Sequence, residues 1–189
     1  MTTPSAHAKP AARRHDGPSD AFDVLDACHR EMLDKVDQLE RLVERLASQG
    51  IDATARSDAA VVAHFFATTA RRHHEDEERH IFPALARSGD QAVIDAVLRL
   101  QQDHGWLEED WMELSPHVQA VASGYNGYDI DVLREGSAIF AALTRDHVAL
   151  EETVIYPNAR RVIASNERQE MGREMAARRR TDRGNGHAR

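Results

Sequence analysis

The stretch RRHHEDEERHIFPAL, Arg71 to Leu85, carries three histidines and four acidic residues and closes on Phe82-Pro83. A solvated helix face accounts for its arginines and acids, but not for its histidines. Nor does it account for a near copy in the last third of the chain, TRDHVALEETVIYPNA, Thr144 to Ala159. His73-x3-Glu77-Glu78-x3-Phe82-Pro83 and His147-x3-Glu151-Glu152-x3-Tyr156-Pro157 share one template, H-x3-E-E-x3-[FY]-P. Residues four apart lie on one helix face, so each imidazole and carboxylate can reach a common point.

Working outward, the rest of the chain also reads as helix. Ser19 is a plausible N-cap for a first helix that ends near Gly50. On it, Phe22, Leu25, His29, Met32, Val36, Leu39, Val43 and Leu46 alternate spacings of three and four, the pattern of a bundle seam. The second helix is expected to start at Ser57 or Asp58 and to stop before Ser88-Gly89. A third, from about Asp90, has the seam Val93, Val97, Leu100, His104, Leu107, Trp111, Leu114, then Pro116. Ser123 to Asp129, SGYNGYD, reads as a loop. The fourth helix carries Leu133, Gly136, Phe140, Leu143, His147, Leu150 and Val154. Four amphipathic helices with modest connections predict an all-α, antiparallel up-and-down four-helix bundle over residues 19–165. Residues 1–18, rich in Ala, Pro and Arg, read as a disordered N-terminal tail. Residues 166–189 carry seven Arg against four acids and read as a solvated Arg-rich C-terminal tail, partly helical at most.

Composition narrows the function classes. The chain has 189 residues, 41% hydrophobic and 30% charged, enough for one domain with a real core. A net charge of −8 argues against a general nucleic-acid role. A single cysteine, Cys28, excludes an internal disulfide framework and fits a reducing cytoplasm. The opening MTTPSAHAKPAARRHDGPSD has no apolar signal region, and no run of about 18 apolar residues exists to span a membrane. Oligomeric state is not readable from the sequence.

His29, His104 and His147 each occupy a seam position where an apolar residue is expected. One such histidine is ordinarily a buried neutral imidazole with a hydrogen-bond partner. Three helices each placing one in the core call for a common partner, and a metal ion is the most economical. Mixed imidazole and carboxylate ligation suits iron or manganese, and without cysteine pairs structural zinc is not indicated.

This arrangement resembles the hemerythrin-like, HHE cation-binding proteins, on the doubled H-x3-E-E-x3-[FY]-P element and the seam histidines of the other two helices. The resemblance implies a four-helix bundle around a non-haem di-iron centre, two oxo- or hydroxo-bridged iron ions that bind dioxygen or, in relatives, handle iron, peroxide or nitric oxide. It implies His29, His73, Glu77, His104, His147 and Glu151 as metal ligands, with Glu77 and Glu151 bridging. Alternatives stay open at three positions. His74 and Glu78 form a second pair one residue along from His73 and Glu77. Glu152 competes with Glu151, since some members of the family use a carboxylate five residues on. Oxygen-carrying hemerythrins place a second histidine four residues after the third-helix one, where this chain has Glu108. If Glu108 binds, the set becomes four histidines and three carboxylates, which favours the ferric state and a centre that oxidises more readily than a reversible carrier.

The remaining histidines, His64, His80 and His117, read as surface, outer or helix-end residues, and His7, His15 and His187 lie in the tails. Trp106, Trp111, Phe82, Tyr156 and Cys28 read as packing residues. Two rivals remain. A ferritin-like, iron-buffering di-iron protein needs E-x-x-H on two helices; Glu77-x-x-His80 fits once, and Asp26-x-x-His29 only with Asp. A metal-free helical interaction bundle, its histidines structural, is the other. A zinc protease motif fails, because His74-Glu75 is followed by Glu78.

Overall fold

A computed structural model describes the backbone of residues 20–185 and the side chains of residues 20–179. Every element among these residues is a helix. Helix α1 is Ala21–Gln49, α2 spans residues 53–85, α3 is Gln91–Ala122, α4 spans residues 130–162, and α5 is Ser165–Asn185. Helix α1 packs on α2 and α4, α3 packs on the same two, and α5 lies along α1. The four-helix arrangement expected from the sequence is compatible with this pattern, to which the fifth helix is an addition. No helix among the described residues is long and apolar enough to cross a membrane.

The starts of α1 to α4 follow aspartates. Asp20 accepts from the Phe22 N–H at 3.0 Å and is closed reciprocally by Asp23, a capping box. Ser19, expected in that role, lies outside the described residues, as do residues 1–18 and His187. Helix α2 begins at the Asp52 cap, which accepts from the Ala55 N–H at 2.8 Å and pairs with Arg45. The start expected at Ser57 or Asp58 is corrected: those residues already lie inside the helix, because Asp52 satisfies the first-turn amides. Asp90 caps α3 as expected, and Asp129 caps α4. Helix α3 does not end at Pro116 but runs through it, since Val118 and Val121 beyond are fully buried and hold the chain in register. His117 is therefore helical, and its Nδ1 accepts the Asp129 N–H at 2.9 Å, fixing the loop before α4. Gly136 lets α4 approach α3 closely, for a Cβ there would meet Leu114 Cδ2 at 2.8 Å and push that buried side chain aside.

The whole expected α1 seam is buried, as is the α3 seam from Val93 to Leu114. The apolar core falls into two parts. One gathers Met32, Val36 and Leu39 with Phe66, Trp111 and Phe140; the other gathers Phe22 and Leu25 with Ile81, Phe82, Leu100 and Tyr156. Between them lies a polar layer. The expectation of a solvated C-terminal tail is corrected over residues 165–179. Met175 is fully buried in the second core part, and Arg178 pairs with Asp76, itself buried on α2. That pairing is long-range, so no periodicity within residues 166–189 announces it.

Candidate metal centre

Both template prolines shape the helices that carry them. Proline lacks an N–H and its ring crowds the carbonyl four residues back. Directly before Pro83 and Pro157 the helices widen into single π turns, Glu77–Ile81 and Glu151–Ile155. In them the Phe82 N–H bonds the Glu77 carbonyl and the Tyr156 N–H bonds that of Glu151, each five residues back. Each widened turn therefore begins at an inward carboxylate.

His29, His73, Glu77, His147 and Glu151 are wholly inaccessible to solvent, and His104 is 6% exposed. Donor atoms of His29, His73, Glu77 and Glu151 lie within 4.8 Å of one another, as do those of Glu77, His104, His147 and Glu151. His74 forms a third such group with His104 and His147. The two carboxylates belong to both of the first groups and stand between them. Oε1 and Oε2 of Glu151 reach His147 Nε2 at 3.1 Å and His29 Nε2 at 3.0 Å, while Glu77 Oε2 lies 3.4 Å from His73 and 3.6 Å from His104.

The choice between His73 and His74 thus dissolves, because both belong to the cluster. Successive helix residues diverge by about 100°. His73 faces His29 on one side of the carboxylate pair, while the His74 ring stacks on His104, centroids 4.1 Å apart, on the other. Glu108 is not brought in: its carboxylate is about half exposed and pairs with Arg71 at 3.0 Å. The cluster is five imidazoles and two carboxylates, not four and three.

Glu78 and Glu152 are not in the inner cluster either. Each turns outward to the histidine of a neighbouring helix: His104 Nδ1 donates to Glu78 at 2.8 Å and His29 Nδ1 to Glu152 at 3.1 Å. The template's aromatic residue stacks on the same imidazole, Phe82 on His104 and Tyr156 on His29. Every letter of the repeat therefore has a duty, and the doubled glutamate was its sequence signal. The Tyr156 hydroxyl was not foreseen as part of the site. It donates to Glu77 Oε1 at 2.6 Å and lies 3.0 Å from His29 Nε2. Asp103, fully buried 4.0 Å from His147 Nδ1, was also missed. His64 lies outside all three groups, and His80 faces Glu174 of α5 at 3.7 Å.

The electrostatics call for a cation. Glu77 Oε2, both Glu151 oxygens and Nε2 of His104 and His147 are buried with only members of the cluster as partners, at 3.0 to 3.9 Å and poorly directed, and Nε2 of His74 has none. His29 Nε2 stands 3.0 Å from each of three groups, the imidazole of His73, the carboxylate of Glu151 and the Tyr156 hydroxyl, more than one N–H can serve. Burial opposes charging His29, but the hydrogen bond and charge of Glu151, with Glu77, raise its pKa to about 9. The same balance, with Glu151 and Glu77 as acceptors, lifts His104 to about 10. Burial and the neighbouring imidazolium of His29 push His73 down, and burial with His104 does the same to His74. Burial, then the Glu151 charge, raises Glu77. Paired carboxylates thus draw positive charge into a buried site where His73 and His74 offer neutral lone pairs, donors of the kind a metal requires.

Beside the His74–His104 edge a cavity of about 430 Å³ opens between α2 and α3 and reaches Phe140 and Thr144 of α4. The cluster is thus open to small molecules from one side.

Comparison with known proteins agrees with this geometry. Over 98 residues, half of this chain, it is 30% identical to uncharacterized protein Mb2018 of Mycobacterium bovis and to uncharacterized proteins MT2051 and Rv1995 of Mycobacterium tuberculosis. The match spans only 36% of the length of those relatives. The family described as Hemerythrin HHE cation binding domain matches residues 20–159, which takes in every residue of the cluster. The chain belongs to the hemerythrin HHE cation-binding family.

Proposed function

We propose that the cluster holds two iron ions and that this non-haem centre binds or reacts with dioxygen, peroxide or nitric oxide. Its setting is a four-helix antiparallel bundle to which α5 is added. The observation that carries the reading is the donor set: five imidazoles and two carboxylates, convergent, buried save for the partly exposed His74, and with few partners other than one another. His29 and His73 would hold one ion, His74, His104 and His147 the other, with Glu77 and Glu151 between them. Bound iron would supply the electrons that dioxygen or peroxide takes up.

The chain's own residues do the rest. Glu78 and Glu152 fix the ring orientation of His104 and His29 by accepting from Nδ1. Tyr156 holds a proton at Glu77 Oε1 and keeps that oxygen in place. The small ligand enters on the His74 side, from the cavity. With Glu108 outside the cluster, the argument from a third carboxylate for easy oxidation falls away. Five imidazoles withdraw less toward the ferric state than four with an extra anion. A metal-free interaction bundle would leave two buried carboxylates and their orphaned neighbours unexplained.

The test is iron stoichiometry and spectrum. Protein loaded anaerobically with ferrous iron is expected to hold two irons per chain and to change its near-ultraviolet absorption on mixing with air, peroxide or nitric oxide. Glu77→Ala and His147→Ala are expected to lose iron together. Full iron retention by both variants would overturn the assignment.

A further inference from the structure

The cavity beside the cluster is much larger than any diatomic ligand needs. Its volume of about 430 Å³ lies within the roughly 300–1,000 Å³ of small-molecule sites. It exists because α2 and α3 present small residues where they face it, Ala67 and Ala70 on one side and Gly105 on the other. Helix α2 also widens into a π turn there, Phe65–Ala70. Unlike the widened turns at Glu77 and Glu151, this one has no proline behind it. Such turns cluster at functional sites.

The lining is divided. Inside are Met32, Phe66, Leu107, Trp111 and Phe140; the charged residues are Glu75, Glu78, Glu108 and Arg71. Three carboxylates face one guanidinium, and that guanidinium is already paired with Glu108 at 3.0 Å. The inner end reaches His74 and His104, and His74 Nε2 is buried without a hydrogen-bond partner.

We infer that this cleft binds a small organic molecule with an aromatic apolar body and a neutral or cationic polar end, ring inward and polar end at the acidic mouth. With Glu108 paired to Arg71 and Glu78 to His104, an anionic end would meet the uncompensated carboxylate of Glu75 there. In the metal-free form an inward hydroxyl would find the free His74 nitrogen. Binding itself needs only the cleft; a part in chemistry at the centre rests on the di-iron reading above.

Three probes of one shape and different charge test it: tyramine, 4-ethylphenol and 4-hydroxyphenylacetate. They are titrated into metal-free and iron-loaded full-length protein carrying Trp106→Phe, so that Trp111 in the cleft wall reports alone. Excitation is at the red edge of the tryptophan band, where phenols do not absorb. Saturable change in Trp111 emission is expected with tyramine and 4-ethylphenol, in both forms of the protein, and much weaker binding of 4-hydroxyphenylacetate. Gly105→Leu fills the cleft from a position where a Cβ meets nothing within 4 Å; it is expected to weaken tyramine binding by an order of magnitude or more. Ala67→Leu, on the opposite wall, is expected to do the same and stands in should the first variant fail to fold. Absence of saturable binding, or binding unchanged in both filled variants, overturns the proposal; equal binding of the anion overturns its charge assignment. Probe binding by a protein that takes up no iron when offered it would sink the di-iron reading alone, and iron uptake with no probe binding in either form would sink the cleft alone.

Discussion

The Tyr156 hydroxyl on α4 donates to Oε1 of Glu77 on α2 at 2.6 Å, with both side chains fully buried. The bond joins the last aromatic of one template copy to the inward carboxylate of the other. Tyr156→Phe removes the donor and leaves a buried carboxylate oxygen unpaired, which costs about 1–3 kcal/mol. The metal-free variant is expected to unfold at correspondingly lower urea concentration, with an unchanged slope. An unaltered midpoint would show that the bond contributes nothing.

Glu78 and Glu152 touch the proposed metal only through His104 and His29. Losing such an outer carboxylate typically costs roughly 10–100-fold in metal affinity. Glu78→Ala and Glu152→Ala are therefore expected to weaken iron binding by that order in a chelator competition. Glu108→Ala, whose partner is Arg71 at the surface, is expected to leave it unchanged.

Cys28 lies beside His29 on α1 but is buried. Burial raises its thiol pKa to about 12, against the pull of Arg179 and with a further push from Glu77. Thiolate is the reactive form, so a thiol reagent at pH 8 is expected to label the unfolded chain at once and the folded protein only as fast as it opens. The raised value also makes stability depend on pH: this contribution is whole below the unfolded value of 9.0 and is lost as pH rises from there toward about 12. Rapid labelling of the native protein would contradict the burial.

Helix α5 is held by Met175 and by Arg178 on Asp76. Met175→Ala empties a fully buried site and is expected to cost about 2–5 kcal/mol. Arg178→Ala leaves the buried Asp76 carboxylate with Arg179 alone, at 3.8 Å, and Arg178 is 34% exposed; its loss should fall below the roughly 3–5 kcal/mol of a fully buried pair. Chemical denaturation of both variants checks this. No effect of either would mean that α5 is an ornament on the other helices.

Much of this was legible beforehand because two periodicities coincide. The apolar seam gave α1 and α3 almost residue by residue, and His29, His104 and His147 stood out because each interrupted it. The doubled template gave Glu77 and Glu151. His74 was legible only as a rival to His73, since one helix stripe has room for one of two adjacent residues; a pair of carboxylates flanked on both sides has room for both. Glu108 was carried from a family spacing, and on α3 that spacing points to the cleft mouth rather than inward. The packing of α5 escaped notice because two methionines make a faint stripe, and its anchor, Asp76, lies a hundred residues away.

The repeat has one more consequence. Each template copy keeps its first glutamate for the centre and lends its second to an imidazole on a different helix, Glu78 to α3 and Glu152 to α1. Severed at the 123–129 loop, the chain would yield two pieces that hold five and two of the seven donors and one clamp each, with α1 clamped only by the far piece. Neither fragment would hold both central carboxylates, Glu77 and Glu151; the complete pocket would arise only when the two anneal, so that assembly and full loading become a single event.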